Sequence, residues 1–464
     1  MSTRWDAIVI GAGPGGMAGA CVLAENGARV LVLDEQPAPG GQIYRAVENV
    51  AAQGADALAR LGADYAAGAD LVARFRVSGS TFQPGSTVWQ VAPERAVWVS
   101  CGGRSACLEA DVILLATGAM ERPVPVPGWT LPGVMTAGAV QILLKSAALV
   151  PSVPFVLAGS GPLPLLVAQQ CIAAGAAPAA FLDTGSWQDA VAAVRYLPGA
   201  LGETARQTLA KGLALHAALR RGGMKMFRGV HDIRIEGDDR AEAISFRVGR
   251  RQHRMPVALV ALHEGVIPAQ QITRAIGCAH AWDVGQRCFR PQIDDWGNSS
   301  VEGVLVAGDA AGIGGAAAAA SAGRVAAFEA LRRLGRIDAA RRDALAATDR
   351  RAMKAERAVR PLLDRMFTPR REILCPADDV VVCRCEEVTA GALRQAVAQG
   401  CQGPNQAKSF LRCGMGPCQG RLCGPVVAEV IATARGQAVD ATGYFRIRPP
   451  MKPVTLGEIA ELET

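Results

Sequence analysis

Three glycine-marked turns, each directly behind a short apolar run, constrain this chain more than any other feature: Gly11-Ala12-Gly13-Pro14-Gly15-Gly16, Gly159-Ser160-Gly161-Pro162 and Gly308-Asp309. A strand that ends in a glycine turn and restarts as a helix is the entry of a nucleotide-binding βαβ unit. In the first turn, Gly11, Gly13 and Gly16 form G-x-G-x-x-G between the strand Ala7–Ile10 and the helical run Met17–Asn26. The first glycine permits the tight turn, the second lets backbone approach a pyrophosphate, and the third lets helix pack close on strand. A pyrophosphate then lies on the helix N-terminus, where free N–H groups and the dipole favour negative charge. Gly27 ends the helix, and the strand Arg29–Leu33 delivers Asp34 and Glu35 where an acid takes ribose hydroxyls. Asp34 is the first choice and Glu35 its neighbour.

At roughly 150 residues per domain, 464 residues make about three units. The spacing of the turns predicts an α/β chain in which one nucleotide domain, 1–145 and 285–330, is split by a second, 146–284. A basic helical connector follows over 331–375, then a cysteine-rich unit over 376–440 and a tail over 441–464. Hydrophobic residues at 50% against 20% charged fit a globular enzyme and exclude a disordered chain. The net charge of +7 comes from one place, since residues 332–371 carry 13 Lys/Arg against 5 Asp/Glu. That excludes a general nucleic-acid-binding surface. Val359, Leu362, Leu363 and Met366 give the connector helical spacing, and we read it as a solvated helix face rather than a docking surface for an acidic partner. No export signal precedes the first strand, so the expected location is cytoplasmic. The uncharged stretch 146–182 is broken by Gly159, Gly161, Pro162 and Pro164, which makes it a buried βαβ unit and not a membrane span.

The second dinucleotide turn departs from the pattern, because Pro164 stands where the third glycine belongs. Proline is tolerated in a first helical turn, but close approach of helix to strand is not expected. Gly159, Gly161 and Asp183 leave a site compatible with an adenine nucleotide, ATP or NAD, without rapid hydride exchange. The chain has no C-x-x-C pair, which excludes a dithiol working beside a flavin.

Seven of the 13 cysteines fall within the last 90 residues, a clustering that points to a metal centre in a reducing compartment. Cys383-Arg384-Cys385 and Cys413 to Cys418 form two close pairs. Four thiolates so arranged suit a [2Fe–2S] cluster or a zinc site, and composition does not choose between them. Cys401 and Cys423 are read as packing thiols.

Several segments together resemble known families. Gly40-Gly41-Gln42, Ala116-Thr117-Gly118 and Val304 to Asp309 look like the FAD contacts of the two-dinucleotide-domain flavoproteins that include thioredoxin reductase. This implies FAD held by Gly11, Gly13, Pro14, Gly15, Gly16, Asp34, Glu35, Gly41, Gln42, Ala116, Thr117, Gly118 and Gly308, with Asp309 on the ribityl chain. The Gly-rich helix starting near Gly314 would aim its positive end at the flavin. The run Val382 to Val388 followed by Cys413 to Cys418 resembles the bacterioferritin-associated-ferredoxin type of [2Fe–2S] domain. The resemblance implies iron–sulfur on Cys383, Cys385, Cys413 and Cys418, and leaves the fourth ligand open because of the spare cysteines.

The order of modules resembles the FAD-containing α subunits of heteromeric bacterial dehydrogenases, a family with relatives in opine oxidase, D-hydroxyproline dehydrogenase, dye-linked L-proline dehydrogenase and hydrogen cyanide synthase. His263 to Pro268 looks like a segment of that family, with His263 read as structural. The implied fold is a two-dinucleotide-domain flavoprotein with a small helical [2Fe–2S] domain. The implied partners are a β subunit with its own FAD, on which the substrate is oxidised, a small ferredoxin-like γ subunit, and a downstream electron acceptor. Room is left for an FMN between subunits and for peripheral attachment at the inner membrane. Two other readings stand beside this one: a self-sufficient NAD(P)H-dependent reductase, and a non-catalytic assembly subunit whose nucleotides are structural.

Overall fold

A computed structural model describes residues 4–462. The apolar run Trp5–Ile10 is the centre of the first sheet, parallel to Val30–Leu33 on one side and to Arg104–Leu115 on the other. Thr81–Gln83 extends the sheet beyond Val30–Leu33. Val304–Val306 returns from far along the chain to pair with Ile113–Leu115. An antiparallel ribbon, Ser86–Val91 and Ala96–Cys101, joins the start of Arg104–Leu115. Near-continuous burial of the parallel strands follows from cover on both faces. Helices Pro14–Glu25 and Ala316–Arg333 lie together on one face, and they touch backbone to backbone because Gly323 lies against the Gly15 carbonyl, where any side chain would overlap.

The second sheet is wholly parallel, in the order Met226–Arg228, Ala180–Asp183, Phe155–Ser160, Leu259–Glu264, Val134–Thr136. Its last strand and most of the helix Ala137–Ala147 fall within 1–145, the segment expected to belong to the first unit. Val134 is drawn across by pairing with Val260 and by packing on the apolar cluster around Val156 and Leu262. The chain passes between the two sheets at the short antiparallel pair Ala119–Glu121 and Val266–Pro268.

The basic segment forms the helices Ala339–Arg357 and Arg360–Met366. Its charge is used internally: Arg342 reaches Glu329 at 2.7 Å and Asp349 receives Arg324 at 2.6 Å. Val359 and Leu362 are buried against Ala193, Ala200 and Ala205 of the inserted unit. The first connector helix is solvated along most of its length, as expected, with Ala346 buried, whereas the second packs against the inserted unit. Beyond the connector, Val381–Cys383 pairs with Val388–Thr389, and the helices Ala390–Ala398, Pro404–Leu411 and Gly424–Arg435 enclose a small core of Val427, Ile431 and Phe445. The turns on either side of Cys418 wrap the Phe445 ring, where Gly414 and Gly420 leave no room for a side chain.

Candidate functional site

The first glycine turn opens on a cavity of about 1430 Å³. Gly11 has φ +104 and lies on the Ala116 carbonyl, while Gly16 is buried against the Gly11 carbonyl, so both are held to glycine by the fold itself. Gly13 differs, because a side chain built there would meet only the Gly41 backbone at 3.8 Å and would point into the cavity. Pro14, Gly15, Gly41, Gln42, Ala116, Thr117, Gly118, Gly308 and Asp309 line the same space, as do Asp34 and Glu35. Gly16 alone of the residues named for this site lies behind the wall.

The two acids divide the work. Asp34 accepts the Ala12 amide at 2.6 Å and the Gln36 amide at 2.8 Å, which ties the glycine turn to the second strand. Burial pushes its carboxyl up while these two amides oppose the rise. Glu35 pairs with Lys452 at 2.7 Å. Asp309 accepts the amides of Gly314 and Gly315 at 2.8 and 3.1 Å and so shapes the start of Ala316–Arg333, whose first residue faces the cavity.

Four contributors escape a reading of the sequence. Lys145, in the helix Ala137–Ala147, is 4% exposed and donates to the carbonyls of Gln42 and Ile43 and to Gln141 Oε1. Gln141 donates in turn to Gln170, and Gln170 to the Leu61 carbonyl at 2.7 Å. This buried chain of hydrogen bonds fastens the inserted unit to the first. The only signal is a lone lysine at the edge of a long uncharged stretch. From the far end of the chain, Leu422, Tyr444 and Met451 also line the cavity.

Burial, aided by the like charge of Arg45, pulls Lys145 down to about 7. An unfolded lysine keeps its proton to about pH 10. The unfolded state therefore binds more protons across that window, and stability rises with pH from about 7 to about 10. Urea unfolding at pH 7 and pH 9 is expected to show the rise in the wild type and a flatter profile in Lys145→Met.

At the second turn, Gly161 has φ +98 and Pro162 begins the helix Pro162–Ala173, with Pro164 buried in its first turn. Asp183 accepts the Gly185 amide at 2.9 Å. Beneath the turn lies Glu264, 1% exposed, which accepts Thr184 Oγ1 at 2.8 Å and Arg370 Nε at 2.9 Å. His263 is buried with Nδ1 2.7 Å from Glu121 Oε1, a structural placement.

The sulfurs of Cys383, Cys413 and Cys423 lie within 4.8 Å of one another, all buried. Cys385 is hydrogen-bonded to Cys418 beside them. Hydrogen bonds from the Cys413 and Cys423 thiols, and from the amides of Gly414 and Glu386, hold Cys383 well below the usual thiol range. Cys423, read from sequence as a packing thiol, is a member of the sulfur group because the helix Gly424–Arg435 starts at its backbone and presents it there. Cys401 stays outside, donating to the Gly403 carbonyl. Three converging sulfurs, a neighbouring Cys385–Cys418 pair and amide donors fit an iron–sulfur or zinc centre. Leu422, next to Cys423, faces the flavin-sized cavity, and the Tyr444 ring lies against Gly424 while lining the same cavity.

Residues 5–326 match the family model of pyridine nucleotide-disulphide oxidoreductases, and residues 379–462 match the sarcosine oxidase A3 domain. The A subunit of opine oxidase from Rhizobium meliloti (strain 1021) is 47% identical over 460 residues, covering 99% of each chain. The chain belongs to the opine oxidase A-subunit family. Hydrogen cyanide synthase subunit HcnB of Pseudomonas aeruginosa is a more distant relative, 31% identical over 495 residues and 98% of each chain. The L-proline dehydrogenase from P. horikoshii shares the fold, with a TM-score of 0.72 at 18% identity over 98% of this chain and 79% of that one. Members of this family are subunits of larger enzymes, which implies partner subunits here. The FAD-type oxidoreductase fold explains the first cavity, and the A3-type match spans the whole cysteine group, Cys383 to Cys423. Among the described residues no helix is long and apolar enough to cross a membrane.

Proposed function

We propose that this chain is the electron-transferring α subunit of a heteromeric dehydrogenase that acts on an amino acid, imino acid or opine, of the D-hydroxyproline, proline or opine type. Oxidation of the substrate is carried mainly by a partner β subunit with its own FAD. The observation that carries this reading is a shared wall: the first and third glycine turns and Leu422, the neighbour of Cys423, face one cavity. FAD in that cavity supplies two-electron redox chemistry and a [2Fe–2S] centre supplies one-electron transfer. This chain's part is to hold and orient them. Gly11 and Gly13 bring backbone to the pyrophosphate, Asp34 fixes their turn, and Asp309 shapes the helix start that faces the flavin. Cys383 is held well below the usual thiol range by hydrogen bonds from Cys413 and Cys423 and from the amides of Gly414 and Glu386, and such amide donors would help set the potential of a bound cluster. An FMN at the subunit interface, ATP or NAD on Gly159, Gly161 and Asp183, a small ferredoxin-like γ subunit and a downstream acceptor complete the proposal. The assembly would work in the cytoplasm, either free or at the inner membrane.

The self-sufficient reductase is disfavoured by two features of the inserted unit, Pro164 in the helix turn and the Lys145–Gln141–Gln170 fastening. A displacement of about 1 Å between reacting atoms costs about 10²-fold in rate. NADH and NADPH are therefore expected to bleach the flavin of the isolated chain at least that much more slowly than amino-acid or opine substrate bleaches it in the complete enzyme. Anaerobic stopped-flow absorbance is the measurement. Fast bleaching by either pyridine nucleotide would restore the reductase reading, and a flavin silent in both experiments would favour the assembly role.

A further inference from the structure

The turn that follows Asp34 and Glu35 is fixed from several sides. Gly40, with φ +131, lies on the Tyr44 carbonyl, and Tyr44 donates its amide back to the Gly40 carbonyl at 3.1 Å. Gly41 rests against the first glycine turn, where a side chain would approach the Gly13 Cα to 2.9 Å. Tyr65 Oη donates to the Arg45 carbonyl at 2.7 Å, and Ala46 takes a left-handed conformation before the helix Val47–Ala52. The backbone at Arg45 is thereby set close to the glycine turn, and Arg45 lines the same cavity.

The protein serves this guanidinium poorly. Among the described residues it makes one hydrogen bond, from Nη2 to Gln42 Oε1 at 3.2 Å, and its Nε is buried with no partner. Asp34 attracts it, but both Asp34 oxygens are taken by the amides of Ala12 and Gln36. Burial outweighs that attraction and pulls the guanidinium below its usual range. A buried N–H donor without an acceptor is costly and rare in folded proteins. The other charges of the wall are engaged or belong elsewhere. Lys145 is spent on Gln42, Ile43 and Gln141, while Lys211 and Lys452 are paired with Asp64 and Glu35. Glu121 meets His263, Asp309 accepts two amides, and Arg221 and Arg421 come from the inserted and cysteine-rich units.

The chemistry of the missing acceptor follows from what else borders the turn. The helix Pro14–Glu25 begins with no acid in its first turn and no side-chain cap from Gly13, so its first N–H groups also await an anion. A planar guanidinium with unused donors near a helix N-terminus fits two linked phosphates.

We propose that Arg45 grips the diphosphate of FAD, its Nε and unused Nη donors meeting phosphate oxygens that the helix N-terminus also holds. The inference rests on the proposed function in one respect, that FAD occupies this cavity. It goes beyond the glycine motif, which brings only backbone to the pyrophosphate.

The test compares the full chain with Arg45→Lys and Arg45→Met, each stripped of flavin and titrated with FAD. Arg45→Met is expected to bind FAD at least tenfold more weakly, and Arg45→Lys to recover part of the affinity by charge alone. Phosphorus NMR of bound FAD should show the diphosphate resonances displaced in Arg45→Lys, while the flavin absorption bands stay at their wild-type positions. A purely structural arginine behaves otherwise. Its removal lowers the melting temperature of the flavin-free chain, whereas removal of an orphaned buried donor leaves that temperature equal to or above wild type. Wild-type FAD affinity in Arg45→Met overturns the inference, as do phosphorus resonances that stay in place in Arg45→Lys. A flavin-free Arg45→Met that melts below flavin-free wild type assigns the residue to the fold and overturns it as well. A wild-type chain that binds no FAD overturns the cofactor assignment of the proposed function and this inference with it.

Discussion

Replacing Gly13 by leucine is expected to give a folded chain without flavin, whereas replacing Gly16 by alanine is expected to destabilise the fold itself. The two glycines stand three residues apart in one motif, whose second glycine faces the pyrophosphate and whose third packs helix on strand. Their surroundings separate them. A side chain at Gly13 finds no protein atom closer than 3.8 Å and enters the cavity, where the pyrophosphate of a dinucleotide would lie. A methyl group at Gly16 overlaps the Gly11 carbonyl, so the helix Pro14–Glu25 must lift from the strand Trp5–Ile10. Overpacking of that kind costs about 3 kcal/mol at the upper end of its usual range. The Gly13 variant loses only what the ligand contributes, about 2.7 kcal/mol for a ligand at a hundred times its dissociation constant. Its melting temperature should therefore match that of flavin-stripped wild type, while Gly16→Ala should melt lower than either. Absorbance at the flavin bands and thermal unfolding decide the matter. A Gly13→Leu chain with full flavin content would remove FAD from this cavity.

The parts of the site legible in sequence are those whose physics is local. A glycine turn, the strand before it and the acid at the tip of the next strand are set within about 30 residues, and Gly11, Gly13 and Asp34 accordingly meet at one cavity, whereas Asp309, which lines it too, is reached only through the family resemblance. Pro164 is legible for the same reason, since its cost and its tolerance both belong to one helical turn. What escapes depends on contacts distant in sequence. Val134–Thr136 is three residues long and joins the second sheet only through Val260 and its neighbours. Lys145 finds its carbonyl partners about a hundred residues away, and Lys452 meets Glu35 across 417. No periodicity announces such pairs. Cys423 is misplaced by sequence reasoning because its position depends on how the turns around Cys418 wrap Phe445, a ring whose role is invisible until the chain closes.

The cysteine group makes the second strong prediction. A [2Fe–2S] cluster takes four thiolates, and five cysteines gather here: Cys383, Cys413 and Cys423 converge in one trio, and Cys385 and Cys418 form a hydrogen-bonded pair next to it. Cys383 is placed in every arrangement because it alone of the trio is held well below the usual thiol range, by hydrogen bonds from Cys413 and Cys423 and from two amides. Cys385 and Cys418 supply the opposite side. Cys413 and Cys423 then compete for one place, because each lies within 4.8 Å of Cys383. Cys383→Ala, Cys385→Ala and Cys418→Ala are each expected to abolish iron binding. Cys413→Ala and Cys423→Ala are expected to retain it singly, with altered electron paramagnetic resonance after dithionite reduction, and to lose it when combined. Metal analysis beside the spectra tests the alternative centre: one equivalent of zinc with no iron signal would reject the cluster. Loss of iron from Cys423→Ala with full retention in Cys418→Ala would instead place Cys423 among the obligatory ligands. Cys418 would then be the spare sulfur, with Leu422 carrying an obligatory ligand of the centre up to the flavin cavity.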